Sequence, residues 1–331
     1  MVATGVMMYE RRRTHLSLAG QTERIPAPCY ASSTELRDHA TTSPAPPSNV
    51  RGFVEKRLAS VLECGQDSRR PMARPTLRIA FLHLAPVPGD LIQNRRAIET
   101  AITRAAHTGA TWIITPELAV CGYTFADTLG TDWIEPQPDQ WVSTLCQLTV
   151  RLRITLFLSH PERDRKTETL YNSLFVITPD GCVVGSHRKI NTLRVGSEAW
   201  SSPGTRAESI AVSPVGHVGL LICADAYTPA IANNLKAHGA KILVSSAAWA
   251  PGLHGPNGEW ERCTKDTGLP LLVCNRTGPD RTMNFAQAES VVAQDGQRLL
   301  SFRSARSSIF IIDWDLATNR LASTRFQQIS L

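Results

Sequence analysis

The segment Leu220-Leu221-Ile222-Cys223-Ala224-Asp225 constrains the fold more than any other stretch of the chain. Its apolar run suits a strand buried in a core, with its last residues delivered to an edge. Residues 229–238 follow with helical character. Pro229 suits a first helical turn and Gly239 a C-terminal cap. A strand that passes through a thiol and an acid into a helix is a unit of α/β layering. Standing alone, Cys223 reads as packed core, because free Cys is among the most buried residue types. Two upstream segments change that reading.

The apolar run Trp112-Ile113-Ile114 leads into Thr115-Pro116-Glu117-Leu118, with Gly122-Tyr123 close behind. Val183-Val184-Gly185 leads into His187-Arg188-Lys189-Ile190-Asn191. Each polar residue follows a strand-like run, in the order Glu, Lys, Cys. Further pieces are Tyr171-Asn172-Ser173, Pro179-Asp180-Gly181 and Gly219. Gly239-Ala240-Lys241-Ile242-Leu243-Val244 and Cys274-Asn275-Arg276-Thr277-Gly278 follow in order. From Thr76 to Trp314 this ordered set resembles the nitrilase (carbon–nitrogen hydrolase) superfamily. The resemblance implies an α/β fold, a four-layer α-β-β-α sandwich, and a catalytic triad of Glu117, Lys189 and Cys223. Two positions depart from the family pattern. Tyr227 stands where the family often has Arg after C-x-D, and Glu289 stands for a Ser before the Asp295-Gly296 turn, with Ser290 adjacent. Both leave the substrate open, and nitrile hydrolysis or acyl transfer on the same triad, or a non-catalytic binding protein on this fold, are the alternatives to amide cleavage.

The chemistry that this triad implies is amide cleavage through a thioester. The amide carbonyl is resonance-stabilised and its amine leaves poorly, so a thiol nucleophile divides the reaction into two easier steps. Cys223 would attack, Glu117 would move the protons, and the Lys189 ammonium would favour thiolate and oxyanion. The backbone N–H of Ala224 would be a second oxyanion donor. The resemblance gives Glu198, in Gly196-Ser197-Glu198-Ala199-Trp200, a supporting role toward substrate or Lys189. Asp225 reads equally as a loop-orienting acid or a helix cap. Tyr123 joins the supporting set through its motif. The Gly/Pro-rich stretch over residues 249–260 falls where pocket loops are expected, so Trp249, His254 and Glu259 are candidate substrate contacts. His187 reads as an ordinary strand-end residue.

Strands are expected over residues 77–84, 112–115, 154–159, 174–178, 218–223, 242–246, 271–275, 291–293 and 309–313. Helices are expected over 94–106 and 140–152 besides 229–238, the first with Ile98, Ile102 and Ala105 on one face. Periodicity alone does not separate a two-sheet sandwich from a doubly wound single sheet. Residues 76–331 are expected to form the hydrolase domain. Residues 1–75 carry the Pro/Ser-rich stretch Ser43-Pro44-Ala45-Pro46-Pro47-Ser48 and read as a mostly disordered N-terminal extension, with a short helix over 54–64. A transit peptide is a competing reading, opposed by Glu10, Glu23, Glu35 and Asp38. A start at Met72, just before the first core strand, is a third.

Composition serves mainly to exclude. No apolar run approaches the length that spans a bilayer, so no membrane partner is expected. The net charge of +6 comes without Lys/Arg clusters interleaved with aromatics, which are 6% of the chain. That argues against a nucleic-acid partner. The eight Cys form no CxxC pair and no spacing suited to zinc, and with no secretory signal they indicate a reducing, cytoplasmic compartment. No metal or organic cofactor is implied. The expected partner is a small amide or N-carbamoyl substrate, and the resemblance implies a homodimer or larger homo-oligomer.

Overall fold

A computed structural model describes residues 75–193 and 196–331. The expected N-terminal disorder and the helix over 54–64 lie outside the described residues.

The strands assemble into two mixed sheets. The first has the order β15-β14-β1-β2-β3-β4-β5, with β16 also paired to β14. Its members are β1 (Thr76–His83), β2 (Trp112–Ile114), β3 (Thr155–Arg163), β4 (Leu170–Ile177), β5 (Val183–Arg188), β14 (Ser308–Asp315), β15 (Arg320–Leu321) and β16 (Gln327–Ser330). The second has the order β13-β12-β9-β8-β7-β6. It comprises β6 (Ile210–Val212), β7 (Gly216–Ile222), β8 (Ile242–Ala247), β9 (Leu271–Asn275), β12 (Ser290–Gln294) and β13 (Gln297–Phe302). A two-stranded ribbon, β10 (Pro279–Asp280) and β11 (Met283–Asn284), stands apart. The centres β1-β2-β3 and β7-β8-β9 are parallel, and the flanks are antiparallel.

Strand alternation explains the layers. In β1, Leu77, Ile79 and Phe81 face the second sheet, where they pack in one core with Leu220, Val244 and Val273. Ala80 and Leu82 point the other way. They meet Ile98, Ala101, Ile102 and Ala105 of α1 (Leu91–His107) and Val142 and Leu145 of α3 (Gln140–Leu152). A short helix α2 (Ala126–Leu129) lies between these two. On the far face, α4 (Pro229–Ala237) and α5 (Glu259–Thr267) cover the second sheet through Ile231, Leu235 and Trp260. The result is the four-layer α-β-β-α sandwich. No helix among the described residues is long and apolar enough to cross a membrane.

The differences from the sequence reading have physical causes. Strand β3 runs on through Ser159-His160-Pro161-Glu162-Arg163 because these polar residues pair with the start of β4, Arg163 opposite Leu170. Tertiary pairing overrides their weak strand propensity. Strand β13 is an edge strand that mixes Leu299, Leu300 and Phe302 with Gln297, Arg298 and Ser301, so it shows no clear apolar run, yet Asp295 and Gly296 both take positive φ, 53° and 77°, as a tight hairpin requires. Helix α5 begins inside the stretch read as loop, between two left-handed glycines, Gly258 and Gly268. The strand expected to end at Cys223 ends at Ile222, and Cys223 opens a 3-10 turn, Cys223–Tyr227.

Gly219 shows how closely α4 sits on β7. A Cβ there would lie 2.7 Å from Leu243 Cδ2 and 3.0 Å from Leu235 Cβ. Gly219→Ala is therefore expected to destabilise the fold by about 1–3 kcal/mol through overpacking, read as a lowered urea midpoint with an unchanged slope.

Candidate active site

Three strand ends converge at one end of the sandwich. After β2, Thr115 is fixed to β3, accepting from Ser159 N at 2.9 Å, and Leu118 N donates to Ser159 Oγ at 3.0 Å. Leu118 takes φ 51°, which turns the chain sharply. Glu117 N reaches across to the second sheet and donates to Ala247 O at 3.3 Å. Lys189 follows β5 directly. Its N–H donates to Asn172 O at 2.8 Å, and its carbonyl accepts from Gly204 N at 2.7 Å. Only glycine fits that approach, since a Cβ on Gly204 would lie 2.2 Å from Arg188 O. Cys223 follows β7 with φ 47°, a left-handed conformation that a non-glycine residue adopts at a cost.

The turn at Cys223 is held by Asp225. One carboxylate oxygen accepts from Ile190 N and Asn191 N, each at 2.9 Å. The other accepts from Ile222 N at 2.9 Å and meets His187 Nε2 at 2.7 Å. Asp225 thus ties the residues on either side of Lys189 to the residues on either side of Cys223. Burial alone would raise its pKa, but His187 and the backbone donors outweigh that and hold it below its ordinary value. Asn191 adds bonds to Ala224 O and Thr228 Oγ1, at 2.9 and 2.8 Å.

Inside this frame lies a buried charge cluster. Lys189 Nζ donates to Glu117 Oε1 at 2.8 Å and to Glu198 Oε1 at 2.6 Å, and all three side chains are fully buried. Asn172 Nδ2 donates to the same two oxygens. Glu117 Oε2 accepts from Ala248 N at 2.9 Å, and Glu198 Oε2 accepts from Leu193 N at 3.1 Å. Burial pushes Glu117 up from the ordinary carboxylate value, Lys189 pulls it back, and Glu198 adds to the rise. Burial would lower Lys189, but Glu117, Cys223 and Glu198 together hold the ammonium well above its ordinary value. Burial and then Glu117 push the Cys223 thiol up, against the pull of Lys189. The thiol pKa therefore lies above its ordinary value, in the field of the Glu117 carboxyl group.

The structure brings Glu117, Lys189, Glu198 and Cys223 together, with Ala224 next to the thiol on the same turn. Tyr123 is buried against the cluster and feels Lys189 first among its charges. Trp249 lies at the end of β8, with Tyr227 and Trp260 packed on it at 4.9 and 5.4 Å. Glu259 is spent locally, accepting from Asn257 N and pairing with Arg262 at 3.4 Å. Its carboxylate serves the start of α5. Glu289 and the adjacent Ser290 have different surroundings. It pairs with Arg298 at 2.6 Å, while Ser290 is buried and accepts from Asn275 N at 3.1 Å. Sequence reasoning gave no role to Asn172 or His187, and left open whether Asp225 capped a helix or held the loop. The motif around Asn172 was the available signal.

Removing the one cation would leave two carboxyl groups facing each other in the core. Lys189→Met is expected to cost about 3–5 kcal/mol. Without the pull of Lys189, the folded-state pKa of Glu117, already raised by burial, would lie further above its unfolded value. Protonated Glu117 would stabilise the fold at acidic pH, and that help is lost as pH rises. The deficit relative to wild type should be larger at pH 8 than at pH 5 in urea unfolding.

Comparisons with known proteins bear on the family and the fold. A family model described as carbon-nitrogen hydrolase matches residues 78–322. The chain is 27% identical to the omega-amidase of Danio rerio, over 78% of this chain and 94% of that one. It is 25% identical to a citrullinase of Francisella tularensis, over 68% and 84%. Among solved structures, Nit3 of Saccharomyces cerevisiae, a nitrilase-superfamily member, superposes with a TM-score of 0.64 at 21% identity, covering 73% of this chain and 92% of that one.

Proposed function

The chain belongs to the carbon–nitrogen hydrolase family and is an enzyme of C–N bond hydrolysis, and from that premise we propose that residues 76–331 form a thiol amidohydrolase acting on a small linear amide or N-carbamoyl compound, with release of ammonia. The observation that carries this is the Lys189 ammonium shared by Glu117 and Glu198 beside a thiol on a left-handed turn. Relatives named citrullinase and omega-amidase support the two substrate classes.

In this reading Glu117 takes the proton from Cys223 as sulfur attacks the carbonyl carbon. A tetrahedral intermediate forms, and its oxygen is stabilised by the Lys189 ammonium and the N–H of Ala224. Glu117 then gives the proton to the leaving nitrogen, so that ammonia departs as a neutral molecule. Water enters, Glu117 accepts one of its protons, and attack on the thioester releases the acid and restores the thiol. Glu198 orients Lys189, and Tyr123 and Trp249 line the approach. The thiol is nucleophilic only when the transfer is concerted with attack, because its own pKa lies too high for a standing thiolate. A reducing, cytoplasmic setting and at least a dimer complete the proposal.

Ammonia release from a panel of amides, N-carbamoyl amines and nitriles tests it. Wild type should release ammonia from an amide or an N-carbamoyl compound, and Cys223→Ala should release none above background. Release from nitriles alone, or equal release by both proteins, would reject the reading. Because Glu117 must be ionised to act as base and burial raises its pKa, kcat/KM should increase with pH through a limb lying above the ordinary glutamate value of about 4.3. Glu117→Gln should remove that limb along with the rate.

A further inference from the structure

Asn172 lies in β4 and is wholly buried. Its amide nitrogen donates to Glu117 Oε1 at 2.8 Å and to Glu198 Oε1 at 3.1 Å. Lys189 Nζ donates to these same two atoms, at 2.8 and 2.6 Å. Two donors and two acceptors therefore alternate around a closed ring of four atoms. Among the described residues, only Lys189 and Asn172 donate to both carboxyl groups. The reverse amide orientation would set Asn172 Oδ1 against two carboxylate oxygens, so the neighbours dictate which end is N–H. In the observed orientation Oδ1 is buried without a hydrogen-bond partner. The site accepts an orphaned acceptor in order to present that N–H pair.

Two carboxyl groups gathered this closely have another way to coexist: they can share one proton. Such a proton would neutralise Glu117 at Oε1. An amide N–H can only donate, so the two oxygens that it bridges must both accept. With Oε1 committed to Lys189 and Asn172, the oxygen of Glu117 left to receive a proton is Oε2. That atom lies 2.9 Å from Ala248 N, whose N–H also bears on the Cys223 thiol. We infer that Asn172 is a positioning residue that keeps the Glu117–Glu198 contact free of protons and so directs the thiol proton onto Glu117 Oε2. This rests on the hydrolase reading above. In that step the Sγ–H bond of Cys223 breaks, an O–H bond forms at Oε2, and the sulfur electron pair goes to the substrate carbon. The other charged or titratable groups facing Glu117 are Lys189, Glu198, Cys223, Tyr123, and Arg276 with its buried partner Asp280.

The experiment is the pH dependence of Cys223 alkylation by iodoacetamide in the full chain, alongside kcat/KM on whichever amide the panel identifies. In Asn172→Leu the acid limb of both profiles should move up by about one pH unit or more, as a proton settles between the two carboxyl groups. The double variant Asn172→Leu/Glu198→Gln should move it back, since one carboxyl group is gone and the glutamine can still accept from Lys189. A slower Asn172→Leu enzyme with an unmoved limb, or a double variant that stays displaced, would overturn the inference. If Asn172→Leu does not fold, Asn172→Ser, whose hydroxyl donates to only one carboxyl group at a time, should give a smaller shift in the same direction, and no shift would count against it. Alkylation reads the thiol without substrate. Absence of ammonia release would therefore reject the hydrolase reading while leaving the Asn172 role to be decided by its own profile.

Discussion

One buried ammonium serves two buried carboxyl groups, and the rest of the molecule is arranged around that ratio. Stripping water from a charged group costs several kcal/mol, and the mutual attraction of the ions repays this only with near-ideal geometry and satisfied hydrogen bonds. Lys189 meets both glutamates within 2.8 Å. The remaining carboxylate oxygens are met by the backbone N–H groups of Ala248 and Leu193. A displacement of 1 Å in any contributing strand would leave a charge unpaired in the core. Burial first, and the excess carboxyl group after it, hold the pKa of Glu117 above the ordinary carboxylate value against the pull of Lys189.

This geometry demands that two sheets be registered against each other, which apolar packing cannot do alone. The hydrophobic effect is non-directional and tolerates sliding. At the site end, polar links between the sheets supply direction. Ser246 Oγ donates to Thr115 O at 2.7 Å, Glu117 N donates to Ala247 O, and Asp225 bonds the start of the Lys189 loop. On the other side of the site, Asn275 holds Trp249 by both its N–H and its C=O, at 3.0 and 2.9 Å. That fixes the neighbouring Ala248 N–H toward Glu117. These contacts belong to backbone groups that burial would otherwise leave unsatisfied, so fold and site draw on the same bonds.

What the sequence disclosed follows from how each residue declares itself. The core strands were legible because continuous apolar runs such as Ile242 to Val244 have few alternatives. The helix over 94–106 was legible because Ile98, Ile102 and Ala105 recur on one face. Glu117, Lys189 and Cys223 were singled out by the family resemblance of the motifs that hold them, each following an apolar run. Strand β13 and the outer half of β3 were not, since Gln297, Arg298 and Ser301 interrupt the apolar residues of the one, His160, Glu162 and Arg163 dominate the other, and their extended form comes from a partner strand. Asn172 and His187 escaped for a related reason. Each acts through a bond to a residue distant in sequence, Glu117 at a separation of 55 and Asp225 at 38, which no local pattern encodes. Glu259 read as an acid in a loop-like stretch, and the structure shows it accepting from Asn257 N at the start of its own helix.

The left-handed conformation of Cys223 is held by the bonds around it. A non-glycine residue at φ 47° costs about 1–3 kcal/mol, and nothing in the thiol itself repays that. Asp225 accepts three backbone N–H bonds besides meeting His187. Hydrogen bonds to a charged group contribute about 1.5–3 kcal/mol each, so even two of them exceed the strain. Relaxing Cys223 would pull Ile222 N away from Asp225 and loosen Ile190 and Asn191, which flank the Lys189 backbone on one side. The strained turn at the thiol and the seat of the ammonium are therefore one mechanical unit. The acid two residues after the cysteine is its fastening.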